Sequence, residues 1–192
     1  MDSHAGLKVM TCTDEPQLAA WLEKHHADSP GLWVKLAKKG SGVASVTAAE
    51  VNDVALCYGW ITGHRKSYDD VHYLQKITRR RPRSLWSKVN IDRVAELTAE
   101  GRMREPGLAE VASARADGRW DAAYESQRNA TVPDDLRAAL ASSPAAHKAF
   151  EALGKTDRYT VLHRLMTARP AATRAARLER MIATLESGGK VT

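Results

Sequence analysis

Trp60-Ile61-Thr62-Gly63-His64-Arg65-Lys66-Ser67 is followed by Tyr68-Asp69-Asp70 and then by His72-Tyr73-Leu74-Gln75-Lys76-Ile77-Thr78-Arg79-Arg80. The two outer runs are rich in aromatic and β-branched residues, and the aspartates between them suit a tight polar turn. A β-hairpin is the expected result. Strict alternation would put Trp60, Thr62, His64 and Lys66 on one face and Ile61, Gly63, Arg65 and Ser67 on the other. Arg81-Pro82-Arg83 ends the second strand, because proline cannot continue the ladder.

Outward from the hairpin, the pattern is helical. On its N-terminal side Thr47-Ala48-Ala49-Glu50 is a capping box, Val51, Val54, Ala55 and Tyr58 form a helical stripe, and Gly59 can close the helix. Leu32, Val34 and Leu36 alternate with Trp33, Lys35 and Ala37 as in a half-buried strand. Thr13-Asp14-Glu15-Pro16 opens an earlier helix, with a capping hydroxyl and with Leu18, Trp21, Leu22 and His25 on one face. After Pro82 the spacing predicts only helices: Ile91, Val94 and Leu97, then Leu108, Val111 and Ala112, and further stripes ending at Leu185. The expected class is α+β, a small antiparallel sheet with packed helices followed by a C-terminal helical module. The periodicity lapses near Gly118 to Pro133, which predicts an α+β domain over residues 1–130 and a helical module over 131–192.

The chain has 192 residues, 43% apolar and 27% charged, the composition of a globular protein. Its start lacks the basic and apolar regions of a signal peptide, and no apolar run reaches the roughly 18 residues of a membrane span. A cytoplasmic location is expected, with no membrane span. Cys12 and Cys57 lack the spacing of a metal or redox motif and read as core or free thiols. Neither a cofactor nor a metal is indicated. The net charge of +6 becomes informative once located: His64 to Arg93 holds nine lysines and arginines against three acids, while the remainder holds twenty of each. A neutral body with one basic segment points to an anionic partner.

The candidate ligand-binding residues are Trp60, His64, Arg65, Lys66, Tyr73, Arg80, Arg81, Arg83 and Trp86. Guanidinium groups beside aromatic faces hold phosphate or carboxylate and stack on planar groups. The competing reading is a solvated basic edge that blocks aggregation. His25 and His163 lie on apolar helical faces and read as packed residues, whereas His64 sits among Arg65, Lys66 and Tyr73. Asp69-Asp70 reads as turn chemistry rather than a catalytic pair, and no catalytic residue is assigned. Gly40-Ser41-Gly42 lacks the Lys-Ser/Thr continuation of a phosphate loop and no helix follows at once. Of the five tryptophans, at 21, 33, 60, 86 and 120, most are expected in the core.

Several motifs carry a family resemblance. The run Ala55-Leu56-Cys57-Tyr58-Gly59-Trp60-Ile61-Thr62-Gly63 with Arg65-Lys66-Ser67, then Tyr73-Leu74-Gln75, then Arg80-Arg81-Pro82-Arg83-Ser84-Leu85-Trp86-Ser87-Lys88-Val89-Asn90 and Gly118-Arg119-Trp120-Asp121-Ala122-Ala123-Tyr124, resembles the YdeI/OmpD-associated (OmdA-like) family. Tyr159, Ala168-Arg169-Pro170, Thr173-Arg174 and Arg177 resemble its small helical module. Thr62 and Arg79 depart from the pattern, which commonly has Asp and Pro there, and the missing acid weakens a carboxylate-based reaction at the hairpin. The resemblance implies a role in bacteriocin protection and antimicrobial-peptide resistance, with no agreed reaction or cofactor. The leading expectation is a binding protein for an anionic or aromatic small molecule at the hairpin cleft. Two others stand beside it: a nucleic-acid-binding protein, and an enzyme acting on an anionic substrate or antibiotic with His64 or Tyr73 as proton carrier.

Overall fold

The computed structural model describes residues 3–189 and 191. The described residues form a five-stranded mixed sheet and eight helices, an α+β fold. The chain divides into two compact units, Met1–Ser84 with Asn90–Ala122, and Leu85–Val89 with Ala123–Thr192. Among the described residues no helix is long and apolar enough to cross a membrane.

The first unit is built on strands β1 (Ser3–His4), β2 (Leu7–Thr11), β3 (Leu32–Ala37), β4 (Trp60–Ser67) and β5 (His72–Arg79), in the spatial order β1-β2-β3-β5-β4. All neighbours are antiparallel except β2 and β3, which run parallel and are joined through helix α1 (Glu15–His25). The expected hairpin is β4-β5, and β5 lies between β3 and β4. Leu32, Val34, Leu36 and Ile77 are fully buried on one sheet face. Trp33, on the alternate side of this strand, is also buried, clustered with Val9 and Leu74 on the opposite face.

Helix α1 is capped by Asp14, whose Oδ1 accepts from the Gln17 backbone N–H at 3.0 Å, and not by the neighbouring Thr13 hydroxyl. A carboxylate meeting the positive helix end is the stronger cap. Helix α2 (Ala48–Cys57) forms the expected capping box. Thr47 N–H donates to Glu50 Oε2 at 2.7 Å and Glu50 N–H donates to Thr47 Oγ1 at 3.2 Å. After α3 (Lys88–Ala99), helix α4 (Glu105–Ala116) turns Gly107, Val111 and Ala114 inward and leaves Leu108 exposed, a rotation from the expected Leu108 stripe. Gly107 decides it. A Cβ there would sit 2.2 Å from the Cys57 carbonyl oxygen, so α4 lies backbone against backbone on the end of α2.

In the second unit, helices α5 (Asp134–Ala141), α6 (Pro144–Glu151), α7 (Lys155–Met166) and α8 (Ala171–Glu186) enclose Leu136, Leu140, Phe150, Val161, Leu162, Leu165, Met181 and Leu185. Each buried side chain of this size contributes about 1.5–3 kcal/mol relative to exposure. Arg174 ties α8 to α5 through a two-pronged contact with Asp135, at 2.7 and 2.9 Å.

Candidate functional site

Strand β4 does not alternate strictly. Its register with β5 runs Trp60 to Arg79, Ile61 to Thr78 and Thr62 to Ile77, then resumes with Arg65 opposite Gln75. Gly63 and His64 together face the single residue Lys76, a β-bulge. One extra residue reverses the phase of everything after it. Arg65 therefore shares the face of Trp60 and Thr62, against expectation, and Lys66 points the other way. Thr62 identifies the shared face, because its hydroxyl donates to Asn52 Oδ1 of α2 at 3.2 Å.

Gln75, 2% exposed, fixes this arrangement. Its Nε2 donates to the carbonyls of Gly63 and Lys76 at 2.9 and 3.1 Å, and its Oε1 accepts from Arg65 Nε at 2.6 Å. The Arg65 guanidinium also lies 5.8 Å from the Tyr73 ring centroid. Held at Nε, it keeps its terminal nitrogens without a hydrogen bond or ion pair among the described residues.

Arg65 borders an open groove of about 790 Å³ between the β4-β5 end and the segment from Ala37 to Ala48. Lys38 and Lys39 add positive charge, Ser67 and Tyr73 add hydroxyls, and Thr47 and Ala48 bring the N-terminus of α2 to the wall. Gly40 and Gly42 adopt φ of +83° and +72°, so the loop can turn where a Cβ would be strained. Lys38 Nζ is anchored on the Asp69 carbonyl at 2.7 Å. No acidic residue lines the groove. Cationic side chains lining one space make an environment for negative charge.

The nine sequence-derived candidates do not converge on one concavity. Arg65, Lys66 and Tyr73 line this groove, but the Lys66 ammonium reaches His4 Nε2 at 3.2 Å on the opposite face. Trp60 is 1% exposed, with Nε1 donating to the His26 carbonyl and its ring edge-on to Trp21, so it has no free face for stacking. Arg80, 7% exposed, borders with Trp60 a separate hollow of about 420 Å³ whose wall includes Glu105 and Glu110. Those acids make it a poor anion site. His64 is exposed at the bulge, and Arg81 and Arg83 are exposed beyond β5. Trp86, 1% exposed, belongs to the second unit, where its carbonyl accepts from Tyr124 N–H at 3.0 Å.

Asp69 serves the turn. Desolvation pushes its carboxyl pKa up, but hydrogen bonds from the Val71 and His72 backbone and from the His72 ring outweigh this and hold it below the ordinary value. The residues that sequence reasoning missed are Lys38, Lys39 and the loop into Thr47. Their signal was present as two lysines before Gly-Ser-Gly and a capping box shortly after, but α2 begins only at Ala48, six residues beyond Gly42.

With this geometry in view, two family models match the chain. One, described as a domain of unknown function (DUF8412), covers residues 10–110, just over half of the chain, and with it the bulge, the groove and α2. The chain belongs to the DUF8412 family. The second, described as bacteriocin-protection, YdeI or OmpD-associated (OmdA), matches residues 129–188 of this DUF8412 protein. The YdeI/OmpD-associated resemblance is thus found in the C-terminal part, while the motifs from Ala55 to Asn90 fall under DUF8412. Neither a curated protein nor a solved structure matches this DUF8412 chain.

Proposed function

We propose that this DUF8412 protein is a binding protein whose groove between β4-β5 and α2 takes a small anionic molecule, in the service of bacteriocin protection. The observation that carries the reading is Arg65, turned by the bulge toward α2, clamped at Nε by Gln75 and lining one groove with Lys38 and Lys39, with no acid in the wall. A guanidinium fixed at one nitrogen presents its remaining donors to carboxylate or phosphate with little loss of side-chain entropy. The groove lies within the usual volume of small-molecule sites, roughly 300–1,000 Å³, and Tyr73 supplies the one aromatic face beside the charge. The OmdA match supplies the bacteriocin-protection context. A cytoplasmic home belongs to the same proposal, in keeping with two buried, unpaired thiols at Cys12 and Cys57.

A thermal-shift screen of carboxylates and phosphate monoesters, followed by calorimetry on the hits, tests it. Arg65→Gln should weaken binding about tenfold or more, since hydrogen bonds to charged groups carry more than neutral ones. Hits that bind Arg65→Gln and Lys39→Gln as tightly as the unmodified chain would remove the groove from consideration.

A further inference from the structure

The helical module has a positive hollow of its own. It encloses about 560 Å³ between α7 and α8. Arg177, Arg180, Met181 and Thr184 recur at i, i+3, i+4 and i+7 and so share one face of α8, and Arg164 and Thr167 face them from α7. No acid lines the hollow. Among the described residues Arg164, Arg177 and Arg180 make no ion pair, although the same module pairs Arg137, Arg158 and Arg174 with carboxylates.

Helix ends explain only part of this. Arg177 Nη1 donates to the Arg164 carbonyl at 2.9 Å, and Arg164 lies in the last turn of α7, so both cations complement that helix end. Arg180 lies in the body of α8 and gains nothing from either terminus; its Nε donates to the Ala176 carbonyl, and the residue lines the hollow. The threonine hydroxyls direct their protons to backbone, Thr167 to His163 and Thr184 to Arg180, each at 2.7 Å. Guanidinium N–H groups, together with the His163 ring that also lines the hollow, are therefore the side-chain donors available to a guest. Three like charges around one space repel unless an anion sits among them. One carboxylate neutralises a single arginine, whereas a phosphoryl group carries up to two negative charges and several strong acceptor oxygens, and a diphosphate carries more.

We propose that the α7-α8 hollow is a binding site for a phosphoryl group, with Arg164, Arg177 and Arg180 as its cationic ligands. Two sources share this chemistry, a free di- or polyphosphate and a phospholipid headgroup, and a two-armed experiment on the full chain separates them. One arm is calorimetric titration with inorganic pyrophosphate. The other is co-sedimentation with phosphatidylcholine vesicles containing phosphatidic acid, whose headgroup is a phosphate monoester. Saturable binding is expected in at least one arm, and that arm names the source. Arg164→Gln and Arg180→Gln should each weaken it about tenfold or more, while Lys148→Gln, at an exposed cation of the same module outside the hollow, leaves it unchanged. Both arginines are exposed and outside any ion pair, so the variants should retain the native circular dichroism spectrum. Absence of binding in both arms, full binding by the two variants, or an equal loss through Lys148→Gln would each overturn the assignment.

Discussion

Gln75 Oε1 accepts the Nε proton of Arg65 at 2.6 Å across the β4-β5 ladder, and the same amide donates to the carbonyls of Gly63 and Lys76. One buried side chain thus stabilises the bulge and orients the cation that the bulge delivers. Replacing it with methionine keeps the bulk but removes all three hydrogen bonds. Gln75→Met should lower stability by about 1–3 kcal/mol, the cost of stranding buried polar groups, and should weaken anion binding although residue 75 does not line the groove. Urea unfolding checks the first effect through a lower midpoint at constant slope, and calorimetry checks the second. A variant as stable as the parent would show that the amide is dispensable.

Gly107 makes a sharper demand. An added Cβ would lie 2.2 Å from the Cys57 oxygen and 2.9 Å from the Leu56 oxygen, and backbone cannot step aside as a side-chain tip can. Gly107→Ala should cost about 3 kcal/mol, at the upper end of overpacking effects. Gly154→Ala, where nothing lies within 4 Å, loses only the preference for glycine over alanine at the N-cap of α7 and should cost about 1 kcal/mol or less. Chemical denaturation of the two variants side by side tests the pair, and equal effects would contradict the close helix approach.

His163 should make the helical module sensitive to mild acid. It packs edge-on to Tyr124 at 4.6 Å, and burial holds its pKa below 6.5. The unfolded chain then takes up this proton more readily than the folded one. The stability at stake is fully present above about pH 6.5 and is lost as pH falls through the folded value. Melting temperatures from about pH 7 to about pH 5 should therefore fall more steeply for the parent than for His163→Gln. Parallel curves would refute the linkage.

The α+β class, the β4-β5 hairpin, the Thr47-Glu50 capping box and the late helices were legible because each has a local cause in period or capping chemistry. What escaped sequence reasoning depended on contacts between distant segments. Nothing local marks Gly63-His64 as facing one residue rather than two, so the direction of Arg65 came out reversed. Leu108 was read as a core residue by its hydrophobicity, whereas Gly107 earned that place by being small enough to meet the Cys57 carbonyl. Trp60 and Trp86 were grouped with the arginines by proximity in sequence, but burial commits their side chains elsewhere. Lys38 and Lys39 reach the groove only because β3 pairs with β5.

The bulge has a colloidal consequence as well. β4 ends the strand order, and the described residues place no strand on its outer side. A straight strand in that position offers a template for edge-to-edge growth between molecules. The local kink at Gly63-His64, with a charged residue on each side of the sheet just after it, breaks the flat row of backbone donors and acceptors such growth requires. The extra residue of the bulge is thus also a guard against self-association, and a version of the chain trimmed to perfect alternation should aggregate more readily.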